Sequence, residues 1–244
     1  MAFGINILND FNTLQIDGSN PNPSLVNKGV WYPAAGAGSS NTQANVGWQS
    51  VNISHNSGNA PKMVIRANNC YAGIWSVQKS GNTWTWTLYT IHSEVGPSVE
   101  WFIFDKVSGL GRGSGFGLEI SSASAELLMS DIYPTLKLHA MASDYTSNQG
   151  ANGGNGAYPQ SYDGSRKFGN MGIGPFWSSR IEERGDSLSG QVTFVRLNWI
   201  GALKWTGSTV DYIDHETAGT GKTYGWDDSS GQPSPMWIVD LTNL

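Results

Sequence analysis

The chain offers no glycine-free window of ten or more residues whose apolar side chains keep the 3.6-residue spacing of a helix. The best stretch, Ser121 to Ser130, is too short. What recurs is the two-residue period of strands. Thr83 to Tyr89 sets Trp84, Trp86 and Leu88 against Thr85, Thr87 and Tyr89, and Gly81-Asn82 before it supplies a turn. Comparable runs lie at Lys62 to Arg66, Tyr71 to Gln78, Val99 to Asp105, Gln191 to Trp199, Val210 to Asp214 and Met236 to Leu241, separated by Gly, Ser, Asn or Pro. Val99 to Phe104 is apolar on both faces apart from Glu100, which predicts a central strand covered on both sides. The expectation is an all-β chain of antiparallel β-sandwich or barrel-like sheets with a long Gly-rich loop.

At 244 residues such a chain can bury a substantial core without disulfides or metals. Its polarity is uncharged: Asp, Glu, Lys and Arg make up only 14 %, against 31 glycines and abundant Ser, Thr and Asn. Eleven Trp, nine Tyr and eight Phe with a net charge of -5 are incompatible with intrinsic disorder. A pI near 5.3 and the lack of a Lys/Arg cluster argue against nucleic acid and against an anionic membrane. No apolar run approaches the roughly 20 residues of a membrane span, and Met1 to Asp10 lacks the basic start of an export signal. With Cys70 alone, one chain can build neither a disulfide framework nor a Cys-based zinc site.

The sequence repeats itself. Phe3-Gly4-Ile5-Asn6-Ile7, then Leu14 and Pro21, align without a gap on Phe116-Gly117-Leu118-Glu119-Ile120, then Leu127 and Pro134, at an offset of 116 − 3 = 113. Ile16 and Met129 each follow the shared Leu by two. The physical unit is a β-hairpin, with Asn9 to Asn12 or Ser121 to Ala125 as its polar turn. Alternation places Ile5, Ile7, Leu14 and Ile16 towards the core, as Leu118, Ile120, Leu127 and Met129 are in the second copy.

From Ser143 to Arg166 the composition turns to Gly, Asn and Ser with no evident element. This divides the chain into a β domain at 1–142 with the duplicated hairpin, a loop or linker at 143–166, and a C-terminal β region at 167–244. Long loops in compact domains are mostly functional or mobile. Tyr145, Tyr158 and Tyr162 are the large rings of this one, and Trp177 and Trp226 lie beyond it; these five are the candidate contact residues.

Motifs of other chemistry dissolve on inspection. Gly219-Thr220-Gly221-Lys222-Thr223 resembles the end of a P-loop, but Glu216 stands where that loop needs glycine and would repel phosphate. Arg184-Gly185-Asp186 matches an adhesion tripeptide too short to carry weight. His55, His92, His139 and His215 are far apart, and no Gly-x-Ser-x-Gly elbow occurs. Adjacent carboxylates at Glu182/Glu183 and Asp227/Asp228 read as solvated charge, and Asn52-Ile53-Ser54 is a bare glycosylation sequon. No catalytic residue, cofactor or metal is expected. The aromatic and amide content favours sugars as ligands, since rings stack on sugar faces and Asn, Gln, Ser and Thr match hydroxyls.

The opening Phe-Gly-Ile-Asn-Ile-Leu-Asn-Asp hairpin, Pro61 to Arg66, a Trp-containing strand pair, Val99-Glu100-Trp101-Phe102-Ile103-Phe104-Asp105, and Phe116-Gly117-Leu118-Glu119-Ile120 to Ser130-Asp131 follow in a characteristic order. Over roughly residues 1–141 this resembles small tailed-bacteriophage virion proteins of the tail tip, with repeated Gly-Leu hairpins. Ser122-Ala123-Ser124-Ala125 replaces the usual small-Gly turn, and the C-terminal part is extra. The resemblance implies a non-enzymatic structural component of the tail or host-attachment apparatus, assembled in the host cytoplasm and released by lysis. Its implied partners are copies of itself, as a trimer or hexamer, and other tail proteins, with host surface glycan as a further candidate. The alternative is a carbohydrate-binding module or lectin-like adhesin.

Overall fold

The computed structural model describes residues 7–8, 14–16, 23–34, 49–107, 119–121, 125, 127–130, 132–142, 160–172, 176–185, 192–217 and 236–244. Among them are fifteen strands and no helix. In chain order these are β1 (Ile7–Leu8), β2 (Leu14–Ile16), β3 (Ser24–Trp31), β4 (Gln49–Asn56), β5 (Lys62–Ser80), β6 (Thr83–Asp105), β7 (Glu119–Ser121) and β8 (Leu127–Ser130). They continue with β9 (Lys137–Ala142), β10 (Gln160–Ser161), β11 (Phe168–Gly172), β12 (Phe176–Gly185), β13 (Val192–Thr206), β14 (Thr209–Thr217) and β15 (Met236–Asp240).

The spine is the β5–β6 hairpin. Ser80 pairs with Thr83 across Gly81-Asn82, and Gly81 alone of the two central residues is left-handed, at φ +58°. That is a type II′ turn, whose twist matches the flanking strands. Gly207-Ser208 closes β13–β14 in the same way, with Gly207 at φ +58°. Sequence runs that read as separate strands, Lys62 to Arg66 and Tyr71 to Gln78, are one strand here. Their junction is a bulge. Asn68 pairs with Ser98 and Cys70 with Ser93, so two steps on β5 face five on β6. Asn69 takes φ +53°, and its side-chain amide donates to the Val95 carbonyl at 3.2 Å. Extra residues on one strand bend it, and this bend splits the hairpin into two halves.

Each half seeds its own layer. On one side of the bend the order is β3–β6–β5–β11–β15–β9; on the other it is β4–β6–β5–β13, continuing to β14 and β10, with β12 also on β13. All pairings are antiparallel. Strands from both sides of residues 143–166 thus enter one eleven-stranded sheet, through Asn170↔Ile65 and Leu203↔Ala72. Among the described strands the sheet does not close into a barrel. It folds over on itself, as in sandwiches whose strands change layers at bulges.

Burial follows the alternation. Met63, Ile65, Ala67, Cys70, Ala72, Ile74, Trp86, Leu88, Val99 and Ile103 form one cluster, joined by Trp84, Trp101, Val51 and Ile53. Leu203, Trp205 and Val210 of one layer meet Phe168, Met236 and Ile238 of the other. Val64, Phe102 and Phe104 pack with Val239 and Leu241 on the far face of the first layer. The segment Val99 to Phe104 is therefore central and covered on both sides. At the open end, His55 of β4 reaches Asp105 of β6 at 3.2 Å, and Ser57 N–H donates to the Asn82 carbonyl at 2.7 Å.

Arg66 occupies the point where β5 changes neighbours. Only 7 % exposed, it donates through Nη1 to the Phe168 carbonyl (2.5 Å) and through Nη2 to the Gly207 carbonyl (2.8 Å), and lies over the Trp205 ring. Burial pulls its pKa down while Glu100 pulls it back up. A guanidinium stays charged regardless. Its fork satisfies one carbonyl from each layer.

The two short hairpins repeat in geometry as in sequence. In the first, Ile7 pairs with Ile16 and Leu8 with Leu14, with a register shift between Ile7 and Leu8. In the second, Ile120 pairs with Met129 and Ser121 with Leu127, with the shift between Ile120 and Ser121. Adding 113 to each number of the first gives the second, bulge included. The bulge corrects the face expected from alternation: Ile120 opposes Met129 but Leu127 opposes Ser121, so Leu127 lies on the other face from Ile120 and Met129, and Leu128 packs with Ile120. Ile120, Leu127 and Leu128 are buried and Met129 partly so. The second hairpin is thus covered on both faces. Ile5 and Leu118 lie outside the described residues.

Candidate binding face

The side of the second layer turned away from the core is built from alternate residues of β4, β6, β5, β13 and β14. Trp86 and Leu88 point inward, so Thr85, Thr87 and Tyr89 point outward. Cross-strand register adds Ser54 beside Thr85, Asn52 beside Thr87 and Ser50 beside Tyr89. On β5, Gly73 opposes Tyr89 and Ser76 opposes Thr87. The result is a row of hydroxyl and amide groups. Ser76 Oγ donates to Thr87 Oγ1 (3.2 Å), which donates to Asn52 Oδ1 (2.9 Å), and the Ser54 and Thr85 hydroxyls lie 3.1 Å apart. Asn52, Ser54 and Gln78 are solvent-exposed.

Trp75 is the odd residue of this face. Ile74 pairs with Leu88 and Ser76 with Thr87, leaving Trp75 as the extra residue of a bulge. In an unbroken strand Ser76 would return to the core side; the bulge keeps both Trp75 and Ser76 outside. Trp75 is 41 % exposed and meets Tyr89 edge-to-face, ring centroids 6.2 Å apart. Tyr89 itself lies across Gly73. A Cβ at that glycine would stand 2.4 Å from Tyr89 Oη. Glycine, tyrosine and tryptophan thus form one stack that fixes the indole.

Towards β13 the face acquires its charges. The Tyr71 hydroxyl donates to Asp211 Oδ2 at 2.6 Å, and the Lys204 ammonium lies 4.7 Å from the Tyr71 ring centroid. These two opposite charges flank one phenol; the described strand positions nearer Trp75 are neutral.

Of the five contact residues expected from sequence, Tyr145, Tyr158 and Trp226 lie outside the described residues. Trp177 sits on β12, its backbone paired with Ile200. Tyr162 is half-buried, packed with Phe168, Trp205 and His139 at centroid distances of 5.3, 5.9 and 5.7 Å. Burial pushes its phenol pKa up. It closes the β10 end of the core, and the loop expected over 143–166 has become ordered strand and turn from Gln160 onward. Residues 143–159 lie outside the described residues. Trp75, Gly73 and Tyr89 were not singled out by sequence, where Trp75 is one ring among eleven.

The discarded motifs occupy strands where described. Arg184 and Gly185 end β12 opposite Thr193 and Val192, while Asp186 lies outside the described residues. Glu216 is a strand residue of β14 paired with Trp199, and Gly219 to Thr223 lie outside. Asn52 of the sequon is mid-strand. Among the described residues no group of three His, Cys, Asp or Glu is placed to hold a metal. No protein-family model, curated protein or solved structure matches the chain.

Proposed function

We propose that the chain is a structural component of a bacteriophage tail, in the tip or host-attachment apparatus, acting by assembly and surface contact rather than by catalysis. The observation that carries this reading is the duplicated hairpin. Its two copies share register and bulge position at an offset of 113, and that repeat is the feature on which the resemblance to tail virion proteins rests. A bulge kept at the same place in two hairpins is a specific geometric demand. The sheet supports the same role, because β9 ends the order of the described strands and carries the exposed apolar side chains Leu138 and Met141, which suit contact with further copies or neighbours.

The competing reading is a free lectin, favoured by the Trp75 face. Immunogold labelling with antibody to the recombinant chain separates the two. Label on the tails of particles whose genome carries this gene is the expected result. Label confined to soluble protein in the lysate, with bare particles, would replace the tail reading with the lectin.

A further inference from the structure

We propose that the outward face of β4–β6–β5 is a saccharide-binding site, with the Trp75 indole as the stacking platform and the Asn52–Thr87–Ser76 row beside it as the hydroxyl-reading edge. The assignment rests on the surface-contact role and not on residence in a particle. A chain missing from particles that still binds sugar would overturn the tail reading alone.

Three independent features converge on this ligand class. A pyranose presents a patch of C–H bonds on its face and hydroxyls on its rim. It therefore needs an exposed aromatic ring next to groups that both donate and accept. Trp75, 41 % exposed and braced edge-to-face on Tyr89, supplies the ring. Ser76, Thr87, Asn52, Ser54 and Gln78 supply hydroxyls and amides, each able to donate and accept. The third feature is charge. Among the residues of this face whose side chains are described, the charges are Lys204 and Asp211, and both sit at Tyr71. A neutral sugar fits the hydroxyl and amide row.

Preorganisation strengthens the argument. The bulge at Trp75 brings Ser76 onto the same side as the indole, and bulges of this kind re-aim side chains beside functional sites. Gly73 lets Tyr89 lie flat beneath, so the indole is held before any ligand arrives. On its β4 side the outward positions next to Trp75 and Tyr89 are Thr87, Asn52 and Ser54, which carry hydroxyls and an amide.

The test is saturation-transfer difference NMR on the full chain, with methyl β-glucopyranoside, methyl β-galactopyranoside, N-acetylglucosamine, cellotriose and chitotriose as probes at millimolar concentration. Irradiating aromatic protons should transfer saturation to the ring C–H protons of at least one of them. Trp75→Ala should weaken binding by about tenfold or more and Trp75→Phe by less. Ser76→Arg, which fills the space beside the ring without removing it, should abolish transfer and covers the case in which Trp75→Ala fails to fold. Absence of transfer to every probe, or undiminished transfer in folded Trp75→Ala or Ser76→Arg, would overturn the site.

Discussion

Gly73→Ala is the most informative single change, because two opposing effects of known size meet at one atom. The added Cβ would stand 2.4 Å from Tyr89 Oη and 2.6 Å from Cε1 and Cζ, well inside contact distance. Tyr89 cannot swing away without cost: it is 1 % exposed and its ring is set against Trp75. Overpacking of this kind costs about 1 to 3 kcal/mol. Against it, alanine in a strand gains roughly 0.5 to 1 kcal/mol over glycine by restricting the unfolded chain. The net expectation is destabilisation of about 0 to 2.5 kcal/mol, centred near 1, a fall in Tm of a few degrees for a chain of this size. Urea unfolding should show a lower midpoint at unchanged slope. The reasoning is specific to the ring, so the same substitution in a Tyr89→Leu background should be neutral or mildly stabilising. An equal cost in both backgrounds, or a Gly73→Ala protein more stable than wild type, would refute the stacked arrangement and with it the bracing of Trp75.

Arg66→Met keeps much of the side-chain bulk but leaves the Phe168 and Gly207 carbonyls without their donor, and should cost about 3 to 5 kcal/mol in chemical denaturation. Leu127→Ala, at a side chain 5 % exposed, should cost roughly 2 to 5 kcal/mol by the same measurement. Burial alone would raise the Asp240 carboxyl, but the hydrogen bonds from Thr242 and the charges of Arg166 and Lys137 outweigh it and hold the group below its ordinary value. A depressed carboxylate stabilises fully above its unfolded pKa of about 4, and that contribution is lost as pH falls through the folded value. The Tm gap between wild type and Asp240→Asn should therefore be constant at neutral pH and shrink on acidification below about pH 4. A gap that widened there would contradict the sign.

What could be read from sequence was whatever alternation alone decides. Thr83 to Tyr89 puts the tryptophans and leucine inside and the threonines outside, as the pattern requires. Val99 to Phe104 is central because both of its faces are apolar, and the repeated hairpin was visible from a constant offset. Bulges were not legible. Asn68-Asn69 reads as a break between two strands, yet the left-handed Asn69 bends one continuous strand between layers. The same blindness hid the site beside Trp75: alternation from Ile74 puts the indole outside, but Ser76 joins it there only through an extra residue that no period-2 pattern announces. Tyr162 drew notice as a large ring in a glycine-rich stretch, but its setting depends on Phe168 and Trp205, contacts across elements that a linear reading cannot see. Arg66 escaped for the same reason: its carbonyl partners are 102 and 141 residues away.

The central claim is that this chain is built into a tail, and copy number in the particle tests it most directly. Quantitative peptide mass spectrometry of gradient-purified particles, calibrated against the major capsid and tail-tube proteins, should find the chain at a low, fixed stoichiometry that is a multiple of three or six, unchanged by further purification. A signal that falls with each purification step, or that varies between preparations, would contradict the account and leave a soluble lectin in its place.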